Sequence, residues 1–282
     1  MNFLITGAGG QVGQELQKLL PQANALTHSQ LDISDISAVR NAVQAFKPYA
    51  IINAAAYTAV DKAEEEVEKA YLINHIGAKN LAIASEEQNT ILLHISTDYV
   101  FDGKKTEPYR ETDTTNPQSV YGKSKLLGEQ AILEHCEKAI ILRTAWVFGR
   151  YGKNFVKTML SLGKTRSHLR IVADQFGSPT EAEDIAKSLI YMAKNAQFGI
   201  YHYSGMPYVS WFEFAQKIFQ VAERQGILHA PQLEPIKSEE YPTVACRPQN
   251  SRLNLEKIKN TFGILPCDWQ QHLNDLRKYL TH

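Results

Sequence analysis

Short apolar runs alternate with longer stretches of helical spacing through the first half of the chain. Phe3-Leu4-Ile5, Ala50-Ile51-Ile52-Asn53, Ile91 to Ser96 and Ala139 to Arg143 are strand candidates, with Asn24 to Thr27 a weaker one. Val12 to Leu20, Asp61 to Gln88 and Tyr121 to Glu137 carry helical patterns between them. The strand runs are rich in Ile and Leu and show no polar alternation, which predicts parallel strands buried on both faces. The fold class is therefore α/β, a doubly wound parallel sheet with helices on each side. After about residue 147 the texture changes. Gly149, Gly152, Gly177-Ser178-Pro179 and Gly205-Met206-Pro207 break the pattern, and Pro231 to Pro248 reads as irregular. The tail from Asp268 to Leu280 returns to helical spacing, with Trp269, Leu273, Leu276 and Leu280 on one stripe.

A length of 282 residues suggests a large domain plus a smaller lobe. Thirty basic residues balance thirty acidic ones, so no long-range positive field exists to draw in nucleic acid or an anionic membrane surface. Three scattered cysteines, Cys136, Cys246 and Cys267, build neither a disulfide framework nor a CxxC pair and favour a reducing, cytoplasmic setting. The first residues lack a signal-peptide pattern, and no apolar run approaches the roughly 20 residues of a membrane span. Nine histidines show no metal-ligand spacing, so a catalytic metal is not expected.

Candidate chemistry sits at the ends of the predicted strands. Gly7-x-x-Gly10-x-x-Gly13 follows the first strand and opens the first helix. Glycines there allow a sharp turn and close approach to a pyrophosphate, with helix N–H groups facing the charge. Asn53-Ala54-Ala55-Ala56-Tyr57-Thr58 ends another strand with small residues, where packing alone explains them equally well. Tyr121 and Lys125 are four apart at the start of a helix and share a face. An ammonium beside a phenol favours the phenolate and lowers a pKa that is ordinarily about 10. Thr97, closing the Ile91–Ser96 run, would bring a hydroxyl to the same edge to hold a carbonyl for hydride attack.

Together these stretches resemble the extended short-chain dehydrogenase/reductases. The likeness continues through Ser96-Thr97-Asp98-Tyr99-Val100-Phe101, Arg143-Thr144-Ala145-Trp146-Val147, Asp174 to Thr180 and Arg247 to Leu253, covering nearly the whole chain. The resemblance implies a Rossmann-like sheet domain of residues 1–147 and about 171–204, and a smaller substrate lobe of about 148–170 and 205–282. It implies reduction, by NADPH or NADH, of the C4 keto group of dTDP-4-dehydro-L-rhamnose. Tyr121 would donate the proton, Lys125 would hold the nicotinamide ribose and tune Tyr121, and Thr97 would complete the catalytic set. Gly7, Gly10, Gln11, Val12 and Gly13 would surround the pyrophosphate, Asp32 and Ile33 the adenine, and Ala55, Ala56 and Tyr57 the ribose side. Thr97, Asp98, Trp146, Asn154 and Arg247 would meet the substrate. Mg2+ enters by resemblance only, and a homodimer is compatible with it.

Several residues also have plainer readings. Trp146 alone reads as core, Arg247 and Arg252 as surface charge, Asn74 as core packing, and Asp61 to Glu68 as a solvated helix face. Two other functions remain open: a reductase or epimerase of another nucleotide sugar, and a non-catalytic dinucleotide-binding regulatory subunit. Intact Thr97, Tyr121 and Lys125 argue against the second, since binding alone does not need all three.

Overall fold

The computed structural model describes residues 1–280. Six parallel strands form its centre: β1 (Phe3–Thr6), β2 (Asn24–Leu26), β3 (Ala50–Asn53), β4 (Ile91–Thr97), β5 (Ala139–Thr144) and β6 (Gly199–His202), in the order β6-β5-β4-β3-β1-β2. Every residue of β1, β3 and β5 is buried, which accounts for their unbroken apolar runs. Successive side chains point to opposite faces. Ile5, Ile52, Leu93 and Ile140 join one core with Val12 and Leu16 of α1 (Gln11–Leu19). Leu4, Ile51, Leu92 and Ile141 join the other with α2 (Ile36–Phe46), α3 (Ala78–Glu87) and α4 (Val120–His135). Further along, α5 (Phe155–Gly163), α6 (Ala182–Lys194) and α7 (Trp211–Arg224) extend the first of these cores without a break. The strand order reverses between β1 and β3. A crevice therefore opens at their carboxyl ends, the place where such sheets take their ligands.

Several elements differ from the sequence reading, which offered no counterpart for the sixth strand, Gly199–His202. Helix α2 was not predicted, although Asp35 caps it by accepting from Ser37 N and Ala38 N, and Val39 and Val43 bury its inner face. The single helix expected over Asp61 to Gln88 is divided into Val60–Ala63, Val67–Tyr71, a π-helical turn at Leu72–Gly77, and α3. Within the supposedly irregular proline segment, Gln232–Ile236 pairs in parallel with His168–Val172, with Pro235 tolerated in a two-stranded sheet where both strands are edges. The tail is helical only over Trp269–Leu273 and then tightens to a 3₁₀ turn at Leu276–Tyr279. That change of pitch buries Tyr279 and leaves Leu280 exposed, off the predicted stripe.

Candidate active site

At Gly7, φ is +72°, and a Cβ there would stand 2.4 Å from Ala55 N and 2.6 Å from the Ala54 carbonyl oxygen. The β1 and β3 edges can meet only around glycine. At Gly13 a Cβ would lie 2.2 Å from the Gly7 carbonyl oxygen, so the same demand seats α1 against the turn. Gly10 N donates to Gly7 O at 3.0 Å and closes the turn. With no side chain on Gly10 to cap α1, the first N–H groups of the helix stay available to an anion. Gln11 Oε1 accepts from Asn154 Nδ2 at 3.0 Å. Asn154 also donates to Gly149 O and caps α5 by accepting from Lys157 N. Its amide thus braces the glycine turn against the start of α5.

Asp32 is exposed and accepts from Ser34 N and Oγ, at 2.9 and 2.7 Å, which lowers its carboxyl pKa. Ile33 is buried, with Gly77 leaving room for its side chain, and its carbonyl accepts from Asn80 Nδ2 at 3.0 Å. Asn74, in the π turn, accepts from Tyr57 N at 2.8 Å and donates to Tyr57 O and Ser124 Oγ. It brackets the Ala55-Ala56-Tyr57 segment to α4, as its packing role predicted.

Ser119 caps α4 by accepting from Gly122 N, which puts Tyr121 in the first turn and Lys125 one turn below. Thr97, the last residue of β4, reaches the Tyr121 phenol with its hydroxyl, accepts from Tyr99 N at 3.2 Å and donates to Asp98 Oδ1 at 3.1 Å. The ring of Tyr99 stands edge-on to that of Tyr121, 5.5 Å away. The expected lowering of Tyr121 by Lys125 is corrected here. Burial pushes the Tyr121 phenol up, with its bond to Thr97 opposing and Asp98 and Tyr99 adding to the rise. Lys125 is 2% exposed and turns Nζ to Ile95 O, at 2.7 Å, and to His94 Nε2, at 3.0 Å. Burial brings its pKa down to about 8, with Glu129 pulling the other way.

Asp98 is buried, with Ser251 and Thr97 as side-chain partners, and burial raises its carboxyl to about 6. A carboxyl raised in the folded state binds more protons folded than unfolded between its ordinary 3.8 and about 6. Stability from this group is therefore present at low pH and lost as pH rises through that window, by roughly 3 kcal/mol in full. Asp98→Asn should flatten this slope and raise the denaturation midpoint at neutral pH relative to the parent. A midpoint that falls equally at acid and neutral pH would show that the carboxyl is not titrating there.

The RmlD substrate binding domain model matches residues 1–281. A dTDP-4-dehydrorhamnose reductase of Aggregatibacter actinomycetemcomitans is 50% identical, covering 98% of each chain, and that of Escherichia coli K12 is 44% identical over 96% of this chain and 95% of its own. The chain belongs to the dTDP-4-dehydrorhamnose reductase family. Among solved structures, the family's Clostridium acetobutylicum protein superposes with a TM-score of 0.94 at 41% identity, covering both chains completely. The Bacillus anthracis protein, solved in complex with NADP, gives 0.91 at 40% identity over 100% and 99%. A Thermus thermophilus UDP-glucose 4-epimerase, 18% identical, shares the fold alone, with a TM-score of 0.81 over 100% and 99%.

In this family member, Trp146 takes a left-handed backbone, φ 48°, and stacks on Trp211 with ring centroids 3.4 Å apart. Its pyrrole edge lies so close to Gly177 that a Cβ there would come within 2.3 Å. Packing on two sides holds this non-glycine residue in a conformation that side chains rarely adopt. Arg247 binds Asp61 at 2.5 Å and the Tyr99 hydroxyl at 3.3 Å. The acidic run from Asp61 is accordingly not a purely solvated face: Asp61 holds Arg247, and Glu64 accepts from Val120 N at the head of α4. Arg252 donates to Asn250 Oδ1 and Thr106 O, bracing its own segment.

Sequence reasoning missed Ser251, Tyr99, Asn53, His94 and the buried Glu129–Arg143 pair. The last two groups left a signal: a histidine inside the apolar run of β4 and an arginine ending that of β5 need buried partners. The three cysteines are free. No helix among the described residues is long and apolar enough to cross a membrane. Asp184, Cys267 and His272 bring ligand atoms within 4.8 Å of one another. A thiol and an imidazole do not suit Mg2+, which takes oxygen ligands, and His272 is already bonded to Asp184 at 2.6 Å. These residues tie α6 to the tail.

Proposed function

We propose that this chain reduces the C4 keto group of dTDP-4-dehydro-L-rhamnose with NADPH or NADH, giving dTDP-L-rhamnose for cell-surface polysaccharide. The observation that carries this reading is the meeting of Thr97 and Tyr121 at the carboxyl end of β4 in a chain so close to reductases of that name. The nicotinamide, when bound, supplies a hydride to C4. The Thr97 hydroxyl holds the carbonyl oxygen, and Tyr121 gives its proton to that oxygen as charge develops there. A phenol that burial keeps protonated at neutral pH suits this direction of proton transfer. Lys125 holds the nicotinamide ribose. Gly7, Gly10, Gln11, Val12 and Gly13 receive the pyrophosphate, Asp32 and Ile33 the adenine, and Ala55, Ala56 and Tyr57 the ribose side. Asp98 and Trp146 face the sugar, and Arg247 trades Asp61 for the diphosphate. The lobe of about 148–170 and 205–282 closes over the nucleotide end, and the cytoplasm is the compartment.

Purified protein should oxidise NADPH or NADH only when a 4-keto deoxysugar nucleotide is present, with dTDP-4-dehydro-L-rhamnose turned over best and dTDP-L-rhamnose as the product. A folded sample that leaves the cofactor unoxidised with that sugar rejects the reading. Both cofactors should serve, with a modest preference for NADPH. No carboxylate follows β2 before Asp32, so nothing at the strand end repels a 2′-phosphate, and His28 and Ser29 stand there instead. A preference for NADH above about a hundredfold, roughly 2.7 kcal/mol, would contradict this account of the strand end.

A further inference from the structure

A line of buried hydrogen bonds runs across the sheet from the residue before the glycine turn to the catalytic helix: Thr6, Asn53, His94, Lys125. All four side chains are buried, and the donors along the line can be assigned. Asn53 Oδ1 accepts from the Ala55 backbone N–H at 3.0 Å and from the Thr6 hydroxyl at 2.7 Å. A backbone N–H can only donate, so the oxygen end of the amide is fixed and Nδ2–H faces His94 Nδ1, 2.8 Å away. Nδ1 is then the acceptor, and a neutral imidazole must carry its hydrogen on Nε2. That N–H faces Lys125 Nζ at 3.0 Å. An ammonium has three donors and no acceptor, so it cannot receive the Nε2–H. An uncharged amine can, through its lone pair, while giving one of its own hydrogens to Ile95 O at 2.7 Å.

We propose that His94 is a positioning residue that holds Lys125 as an uncharged amine, and that proton uptake by Lys125 breaks the His94 bond and frees the ammonium. The step moves one proton from solvent to Nζ, and no other bond to a heavy atom changes. Groups around the line agree. Burial keeps the His94 imidazole well below its ordinary pKa, so it does not compete for the proton. Glu129 on α4 is the carboxylate that favours the ammonium, but Arg143 of β5 already matches its charge and Ser96 of β4 bonds it. Thr6 and Asn53, from β1 and β3, bring no charge. The catalytic meaning rests on the reading of Lys125 as the group that holds the ribose: the charged form serves the cofactor, and His94 stores the uncharged one.

Long-range proton–nitrogen correlation spectra of the full chain, labelled at histidine, should show His94 as the Nε2–H tautomer from about pH 6 to about pH 9. A Nδ1–H tautomer overturns the proposal. Competitive acylation followed by peptide mapping reads the pH at which Lys125 is half protonated. His94→Phe removes the donor that stabilises the amine and should move this midpoint upward by about one pH unit, the scale of one hydrogen bond to a single protonation state. A midpoint that stays or falls in a folded variant also overturns it, because simple packing by His94 would leave the midpoint unmoved. If the variant does not fold, the tautomer of the parent chain decides. Neither measurement needs a sugar, so a failed reductase assay and a failed latch are separate results.

Discussion

Tyr121→Phe is expected to lower kcat by ~10²-fold or more while cofactor binding persists. The substitution removes one oxygen and leaves the ring, whose edge-on packing against Tyr99 does not depend on the hydroxyl. What disappears is the proton that meets the developing charge on the C4 oxygen, and with it the bond to Thr97. An interaction made chiefly in the transition state shows in kcat and in kcat/KM together, not in KM alone. Lys125→Met should behave differently. It should weaken cofactor binding as well as turnover, because one side chain serves both. Steady-state kinetics with NADPH, paired with cofactor titration by fluorescence, separates the two patterns. If Tyr121→Phe kept more than about a tenth of the parent's kcat, the hydroxyl would not be the proton donor.

Arg143→Met should cost about 3–5 kcal/mol of stability, the usual penalty for leaving a buried charge without its partner. Arg143 and Glu129 are 2% and 1% exposed and meet through three hydrogen bonds, Nε to Oε1 at 2.9 Å, Nε to Oε2 at 3.2 Å and Nη2 to Oε2 at 2.6 Å. Methionine keeps much of the apolar stem but leaves the Glu129 carboxylate with Ser96 as its remaining side-chain bond. The pair joins β5 to α4 directly behind Lys125, so its loss should also loosen the catalytic helix. Replacing both partners, Arg143→Met with Glu129→Leu, should recover most of the loss, since no charge is then stranded. Urea unfolding of the parent, the single variant and the double variant forms the test. A single variant within about 1 kcal/mol of the parent would show that water or another group reaches Glu129.

The site was partly legible because some of its demands are local. A turn that needs Gly7, Gly10 and Gly13 is written in consecutive residues, and Tyr121 and Lys125 are neighbours by helix pitch alone. Their common face was legible; where Lys125 points along that face was not. Its direction is set by His94 and Ile95 from β4, about thirty residues away, and so the expected ammonium–phenol coupling gave way to a lysine docked on a strand. Asn154 shows the same limit. Its capping role lies in its own segment, but its bond to Gln11 joins residues 143 apart, and no spacing rule announces that.

The sequence by itself determined the parallel character of the sheet and five of its six strands, because strands buried on both faces carry continuous apolar runs and show no polar alternation. It determined the glycine turn, through a backbone conformation that side chains rarely adopt, and the edge of the sheet at which Thr97 and Tyr121 stand. Only the tertiary structure decided how the long Asp61–Gln88 stretch breaks, at a π turn whose Asn74 bonds Tyr57 and Ser124 from other segments. It alone decided which buried polar groups pair: Arg143 with Glu129, Asn53 with His94, His94 with Lys125. Propensity and periodicity act over a few residues and are readable in order along the chain. The low polarity of the interior requires each buried polar group to find a partner without saying where in the chain that partner lies, and folding supplies the answer.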